Sequence, residues 1–437
     1  MTDKELWELG LKSIRELEAE RGILASARNE AYGCIFGRDS LITSLSLLRV
    51  FNKTNDIYFL DLVGKILHNL IDLQGSSVNI ESGEEPGKCI HEFRPDNHSH
   101  LTQQERQPWY VYPDNAMRNY DTVDATPLFL IALHKYLKAR NFEQVPDRLL
   151  IAARAALQWI LEYGDKNGDG FLDYQFHPER THGGLRVQSW MDSSESVFFE
   201  RNDAIPEYPI APVEVQAYAF AALCAWSDYL AAIDPEFSAT LAVRAGLLKK
   251  QFNAKFVIRH GKSISLASAI DGKGRMLGSA RSSMAHTLWA IWRVSETDIP
   301  ESVLESASIP LLVKRLRAPD LYVPSAGIRT LSSRSRHFNP QSYHNGSIWP
   351  HDTAIFAEGL ENFGYTEEAL RVRRSLVRSY THFKTPIELF AYARGFREYR
   401  TEGGHGACRT QAWSAASILS TLSDAVHGEN ISGIALA

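Results

Sequence analysis

The sequence of 437 residues predicts an all-α fold, an (α/α)6 toroid of six inner and six outer helices with long loops, on three observations. Six segments are apolar on nearly every side, the pattern of a fully buried helix. Six others alternate apolar and charged residues at helical spacing, a stripe suited to covering a core. The two kinds follow each other strictly, outer then inner, and two concentric rings let each amphipathic helix cover a buried neighbour. An extended solenoid would need a recurring sequence period, and none is visible.

The outer segments are Asp3–Arg21, Asp56–Leu73, Pro146–Tyr163, Glu236–Phe252, Pro300–Arg317 and Thr366–Thr381. In the first, Leu6, Leu9, Ile14 and Leu17 fall near one side, while Lys4, Glu8, Lys12 and Glu16 stay outside. Each inner segment is entered through a polar cluster: Arg38-Asp39-Ser40, Asp121 to Asp124, Glu214 to Gln216, Ser282 to His286, Tyr343 to Asp352, and Gln411 to Ser414. The fifth cluster, Y-H-N-G-S-I-W-P-H-D, is the densest. Pro350 suits a first helical turn and Ser347 or Asn345 can cap it, which predicts a helix beginning near Ile348. A toroid gathers all six inner N-termini at one end, so the clusters converge on one depression.

No Pro-, Gly- or Ser-rich linker divides the chain, so one domain spanning residues 1–437 is expected, without an N-terminal β-sandwich. Gln74–Tyr120, Gly164–Pro209 and Phe256–Arg281 are too long for ordinary helix connections, and such loops line or cover sites. Lys255–Ala269 alternates as a short β-hairpin does. The outer helices show no heptad seam, and the mildly apolar tail Gly428–Ala437 has no assigned role.

A composition 44% hydrophobic and 23% charged suits a large core, and a net charge of −5 without a basic run argues against nucleic acid or anionic membrane as partner. The start, M-T-D-K-E-L-W-E-L-G, lacks the pattern of a signal peptide, and no apolar run approaches a membrane span. Cys34, Cys89, Cys224 and Cys408 are scattered without metal-ligand spacing and read as buried free thiols. A cytoplasmic, disulfide-free protein is the expectation.

Asp192, in V-Q-S-W-M-D-S-S, is a candidate proton donor, because desolvation beside an indole favours the neutral carboxyl. An Asp capping a turn through Ser193 or Ser194 fits the spacing too. Glu388, in T-P-I-E-L-F, lies among apolar residues, where a carboxylate is either paired or functional. Near Glu92, the run H-E-F-R and the aromatic cluster Trp109-Tyr110-Val111-Tyr112 suit a polyhydroxylated ligand, or else a solvated loop. The stretch Asp165-Lys166-Asn167-Gly168-Asp169-Gly170 is similar to the start of a calcium loop. An EF-hand, however, needs a Glu at its twelfth position, and residue 176 is Phe. Ca2+ at Asp165, Asn167 and Asp169 and a metal-free glycine turn both remain open. No other cofactor is expected.

F-G-R-D-S at 36–40, E-E-P-G-K with H-E-F-R, V-D-A-T-P-L-F at 123–129, G-D-G-F at 168–171 and S-W-M-D-S run in this order along the chain. Y-H-N-G-S-I-W-P-H-D, I-E-L-F and A-C-R-T-Q-A-W-S follow. Over roughly residues 30–420 the sequence thus resembles the glycogen-debranching-like and processing α-glucosidase-like glycoside hydrolases, related to neutral invertases and glucosyl- and mannosylglycerate hydrolases. The resemblance implies the (α/α)6 toroid, Asp192 as general acid and Glu388 as general base. It implies sugar contacts from Arg38, Asp39, Asp124, Trp190, Glu214, Gln216, His344, Trp349, Asp352, Gln411 and Trp413. Glu92, Tyr120, Asn345 and His351 complete the candidate binding set. The sequence departs from the pattern at Met191, around Ser283 to His286, and in the long basic stretch Arg394–Gly404.

The implied reaction is exo-acting hydrolysis, with inversion, of an α-glycosidic bond in a short oligosaccharide or small glucoside. Inversion requires carboxyls roughly 6.5–9.5 Å apart, against roughly 5–5.5 Å for retention. Three other readings stay open: a sucrose-cleaving enzyme of the neutral-invertase kind, a sugar 2-epimerase-type isomerase relying on His344 or His286, and a sugar-binding protein without turnover. The expected partner in each is a small carbohydrate.

Overall fold

A computed structural model describes residues 1–427 apart from 144, 203, 296, 402, 403 and 405; the tail at 428–437 and part of the basic stretch at 394–404 lie outside the described residues. Twelve helices build the rings: α1 (Asp3–Leu17), α2 (Gly37–Thr54), α3 (Ile57–Asp72), α4 (Ala125–Ala139), α5 (Asp147–Glu162) and α6 (Val213–Leu230). They continue with α7 (Pro235–Lys255), α8 (His286–Trp289), α9 (Ile309–Leu316), α10 (Pro350–Asn362), α11 (Thr366–Phe383) and α12 (Ala412–His427). Even-numbered helices are inner. Each packs on the next, α2 on α4, α4 on α6, α6 on α8, α8 on α10 and α10 on α12, and α12 packs back on α2, which closes the ring. The outer helices lie against them, α1 on α12, α3 on α2, α5 on α4, α7 on α6 and α11 on α10.

Local chemistry sets the helix starts. Thr2 and Glu5 form a reciprocal capping box on α1, Asp56 caps α3, and Asp234 with Pro235 opens α7. Two starts differ from expectation. The fifth inner helix begins at Pro350, and neither Ser347 nor Asn345 caps it: Ser347 donates to the Tyr343 carbonyl and Asn345 binds Arg281. The fifth outer helix begins at Ile309 instead of Pro300, because Pro310 occupies the first-turn position that favours initiation.

The fourth inner segment, expected as a full helix, is a 3-10 turn at Ser282–Ala285 followed by the single turn α8. The Asn362 side chain donates to the carbonyls of Leu288 and Trp289, satisfying the end of α8 from α10. The chain then leaves extended at Ala290. The predicted hairpin forms, Val257–His260 pairing antiparallel with Ser263–Leu266. One hydrophobic core joins the rings, from Leu6 on α1 to Leu422 on α12.

Candidate active site

Short backbone pairings bring the separate motifs together at the N-terminal end of the inner ring. Ile35–Phe36 pairs with Glu92–Arg94, which pairs with Met117–Asn119, so F-G-R-D lies beside H-E-F-R. Gly37 is required there, since a Cβ would fall 2.0 Å from the Ile90 carbonyl oxygen. Ile348 and Phe390 exchange backbone hydrogen bonds of 2.9 and 3.0 Å, setting the Glu388 segment against the Tyr343 segment. Arg281, buried, clamps two loops by donating to the carbonyls of Ser196 (2.6 Å) and His344 (2.8 Å) and to Asn345 Oδ1 (2.8 Å).

These pairings form a small hollow of about 50 Å3. It is lined by Arg38, Asp39, Trp190, Asp192, His344, Trp349, Glu388, Gln411 and Trp413, together with Tyr32, Phe36 and Tyr343. Asp192 and Glu388, remote in sequence, therefore face one cavity. Trp349 stands edge-on to Trp190 and to Trp413, at 5.7 and 5.8 Å, so three indoles form one wall. Trp190 Nε1, Trp413 Nε1, His344 Nε2 and Gln411 Oε1 are buried without a partner. Unpaired donors and acceptors on the walls of a cavity suit hydroxyl groups.

Arg38 holds the acid side. It donates from Nη1 to Asp124 (3.0 Å) and from Nη2 to Asp192 (2.7 Å), and Thr122 fixes Asp124 by a 2.6 Å hydrogen bond. The Asp192 side chain keeps 24% of its surface exposed. Burial raises its carboxyl to about 6 against the pull of Arg38. On the opposite side, Glu388 accepts from the Tyr343 hydroxyl at one oxygen and from the Cys408 N–H (2.8 Å) at the other. Burial raises Glu388 to about 7, although both donors stabilise its ionised form. Tyr32 lies 3.0 Å from the Tyr343 hydroxyl. Asp39, bonded to Gln411 at 3.0 Å, is raised to about 7 by burial and by the fields of Asp192 and Glu388.

The structure does not bring every candidate residue to this cavity. Asp124 and His351 stand one layer behind it, Asp124 through Arg38 and His351 stacked 3.8 Å from Trp413. Asp352 Oδ1 and His286 Nε2 lie 2.8 Å apart, both residues fully buried. Glu92 is paired with Arg94 at 2.5 Å, and the Tyr120 hydroxyl donates to the Leu73 carbonyl. Gln216 bonds the backbone of Leu172 and Pro212, and Asn345 bonds Arg281 and the Glu195 carbonyl. Glu214 lines a separate small hollow with Ser189 and Arg281, and burial raises it to about 8. Tyr32 and Tyr343, absent from the sequence-based set, are cavity residues. Tyr343 opens the densest polar motif, and that density was the available signal.

Residues 301–414 match the profile of the mannosylglycerate hydrolase MGH1-like glycoside hydrolase domain. No curated protein sequence matches the chain. Among solved structures, the chain resembles the GH63 mannosylglycerate hydrolase from Thermus thermophilus in complex with Tris and D-glycerate. That likeness has 14% identity and a TM-score of 0.61, and covers 95% of this chain and 99% of that one. The same enzyme in complex with glucose gives 15% identity and 0.61 over the same shares. A wild-type glycosidase gives 14% and 0.58 over 96% of each chain. The solved structures share the toroid, and the matched profile spans the segment holding Tyr343 and Glu388. The protein is a glycosidase related to the (α/α)6 glycoside hydrolases.

Proposed function

We propose that the protein hydrolyses an exo-positioned α-glycosidic bond in a short oligosaccharide or small glucoside, with inversion at the anomeric carbon. The observation that carries this reading is the pairing of Asp192 and Glu388, both desolvated, across one indole-walled hollow. Asp192 gives its proton to the glycosidic oxygen as the bond to the anomeric carbon breaks. Glu388 takes a proton from the water that attacks the other face. Tyr343 and the Cys408 N–H orient Glu388, and both suit a carboxylate ionised as a base. Arg38 orients Asp192 and spreads its charge between that residue and Asp124.

An isomerase would need His344 or His286 as acid and base. His286 lies between Tyr218 and Asp352, outside the cavity lining, and burial holds His344 well below the ordinary histidine range. The carboxylate pair is the better-placed chemistry. A second feature bears on substrate. Arg400 and Arg409 share Glu398 at 3.1 Å each, in a hollow with Ile387 and Tyr399, and Tyr399 packs 5.6 Å from Tyr343. Two guanidinium groups against one carboxylate leave a net positive charge in this neighbouring hollow, which favours a glycoside whose aglycone carries a carboxylate over a neutral one.

The test is release of monosaccharide from disaccharides, sucrose, glucosylglycerol and glucosylglycerate, with the anomer of the first product followed by NMR. Asp192→Asn and Glu388→Gln are each expected to lower kcat by about 10²–10⁴-fold. Full activity in either variant, or a product retaining the substrate's configuration, overturns the assignment.

A further inference from the structure

Helix α7 belongs to the outer ring, yet its water-facing side is not polar. Its buried residues, Ser238, Leu241, Ala245, Leu248 and Phe252, follow the three- and four-residue spacing of one face. The opposite face carries Ala239, Val243, Gly246 and Leu247, all exposed, between Glu236 at one end and Lys250 at the other. Val243 is 63% exposed and Leu247 51%. Other charges of the helix are engaged within the chain, Arg244 by Asp165 and Lys249 by Glu301. Glu236 and Lys250 have no ion-pair partner among the described residues.

Gly246 is a second sign on the same face. A glycine in mid-helix costs stability through its freedom in the unfolded chain, and no other part of the chain lies within 4 Å of where a Cβ on Gly246 would stand. The single chain gives that residue no packing role, whereas a second helix crossing closely over it would. The face is also symmetric about Val243. Glu236 and Lys250 stand seven residues to either side, about 10.5 Å along the axis, and two turns keep all three on one line. Ala239 and Leu247 lie four residues to each side, and Thr240 and Gly246 three.

We propose that two copies of this chain associate through α7, antiparallel, about a two-fold axis at Val243. That operation sets Glu236 against the partner's Lys250 at both ends of the crossing, Ala239 against the partner's Leu247 and Thr240 against the partner's Gly246. Val243 meets its own equivalent at the centre. The interface is isologous, each half of the face complementing the other in charge and bulk, and opposed helix dipoles favour the same antiparallel sense. An unrelated partner would not need opposite charges balanced about the apolar centre. The crossing spans about four turns, short of the sustained seam that the outer helices lack. None of these residues lines the catalytic hollow, so the pairing joins two complete sites.

The experiment is sedimentation velocity on the whole chain from about 1 to about 200 μM. A monomer–dimer equilibrium is expected, with Kd on the order of 10 μM, as suits an interface at the small end of the size range. Val243→Glu puts like charges on the axis and leaves the chain monomeric throughout, with an unchanged melting temperature because the position is exposed. Glu236→Lys and Lys250→Glu each set like charges opposite one another twice and weaken the dimer about tenfold. Mixed one to one, those two variants restore it, since each then offers the other the opposite charge at both ends. A wild-type chain that stays monomeric at the highest concentration overturns the proposal and leaves the face to a different protein. A dimer that Val243→Glu leaves intact overturns it too, and a mixture no tighter than the separate variants rejects the antiparallel register.

Discussion

Of the three carboxyls lining the hollow, the two proposed to act on substrate stand close together, Glu388 raised to about 7 and Asp192 to about 6, so the proposed donor has the lower value of the pair. Interacting groups lose protons in steps that belong to the pair. The expected kcat/KM profile is a narrow bell with its maximum between pH 6 and 7. Tyr343→Phe removes a donor that favours ionised Glu388 and raises its value, which is the upper of the two, so the alkaline limb moves up by about one pH unit while the acid limb stays. Arg38→Met removes the cation that holds Asp192 down and moves the limb set by Asp192 to higher pH. An unmoved profile in both variants contradicts the assigned partners. At this scale Arg38, Asp39, Trp190, Asp192 and Glu388 were legible because each stands in a motif whose chemistry is unusual for its surroundings. Tyr32 was not, because its role depends on the Tyr343 hydroxyl, hundreds of residues away in the chain. Glu92 and Tyr120 carry the same kinds of groups as the cavity residues, and their distinguishing partners, Arg94 and the Leu73 carbonyl, are set by folding.

Among the elements, α3 approaches α4 closely at Gly64. A Cβ on Gly64 would fall 2.7 Å from the Tyr136 hydroxyl oxygen. Gly64→Ala is expected to destabilise by about 1–3 kcal/mol through overpacking, with Tyr136→Phe in the same chain restoring part of the loss. Equilibrium unfolding in urea measures both, and additive losses would reject the contact. Elements were read best where periodicity and end signals agreed, as in α1, α3 and α7. The segment T-L-W-A-I-W is apolar enough for a long buried helix, yet it stops after one turn at Ala290. The Asn362 amide that meets its last carbonyls comes from α10, beyond the reach of a local reading.

The whole molecule carries a pH dependence written by its buried carboxyls. Asp39 (about 7), Asp192 (about 6), Glu214 (about 8) and Glu388 (about 7) all stand above their ordinary values through burial. Between about pH 4 and pH 8 the folded state therefore binds more protons than the unfolded one, and stability falls as pH rises through that window. The melting temperature is expected to be higher at pH 5.5 than at pH 8. Glu214→Gln flattens the dependence and stabilises the protein at pH 8, readable by calorimetry; an unchanged slope would remove Glu214 from the account. The ring alternation was visible in the sequence because hydrophobic pattern is local. The partition of polar residues between cavity wall and supporting layer was not, because both need polar groups at helix starts.

Closure of α12 onto α2 also constrains when activity first appears. Asp39 and Gln411 meet across that seam, as do the paired backbones of Ser26 and Gln411. A nascent chain that has emerged only as far as α10 lacks both Glu388 and the last panel of the wall, so competence to cut sugar arrives in a single late event instead of accumulating as the rings assemble.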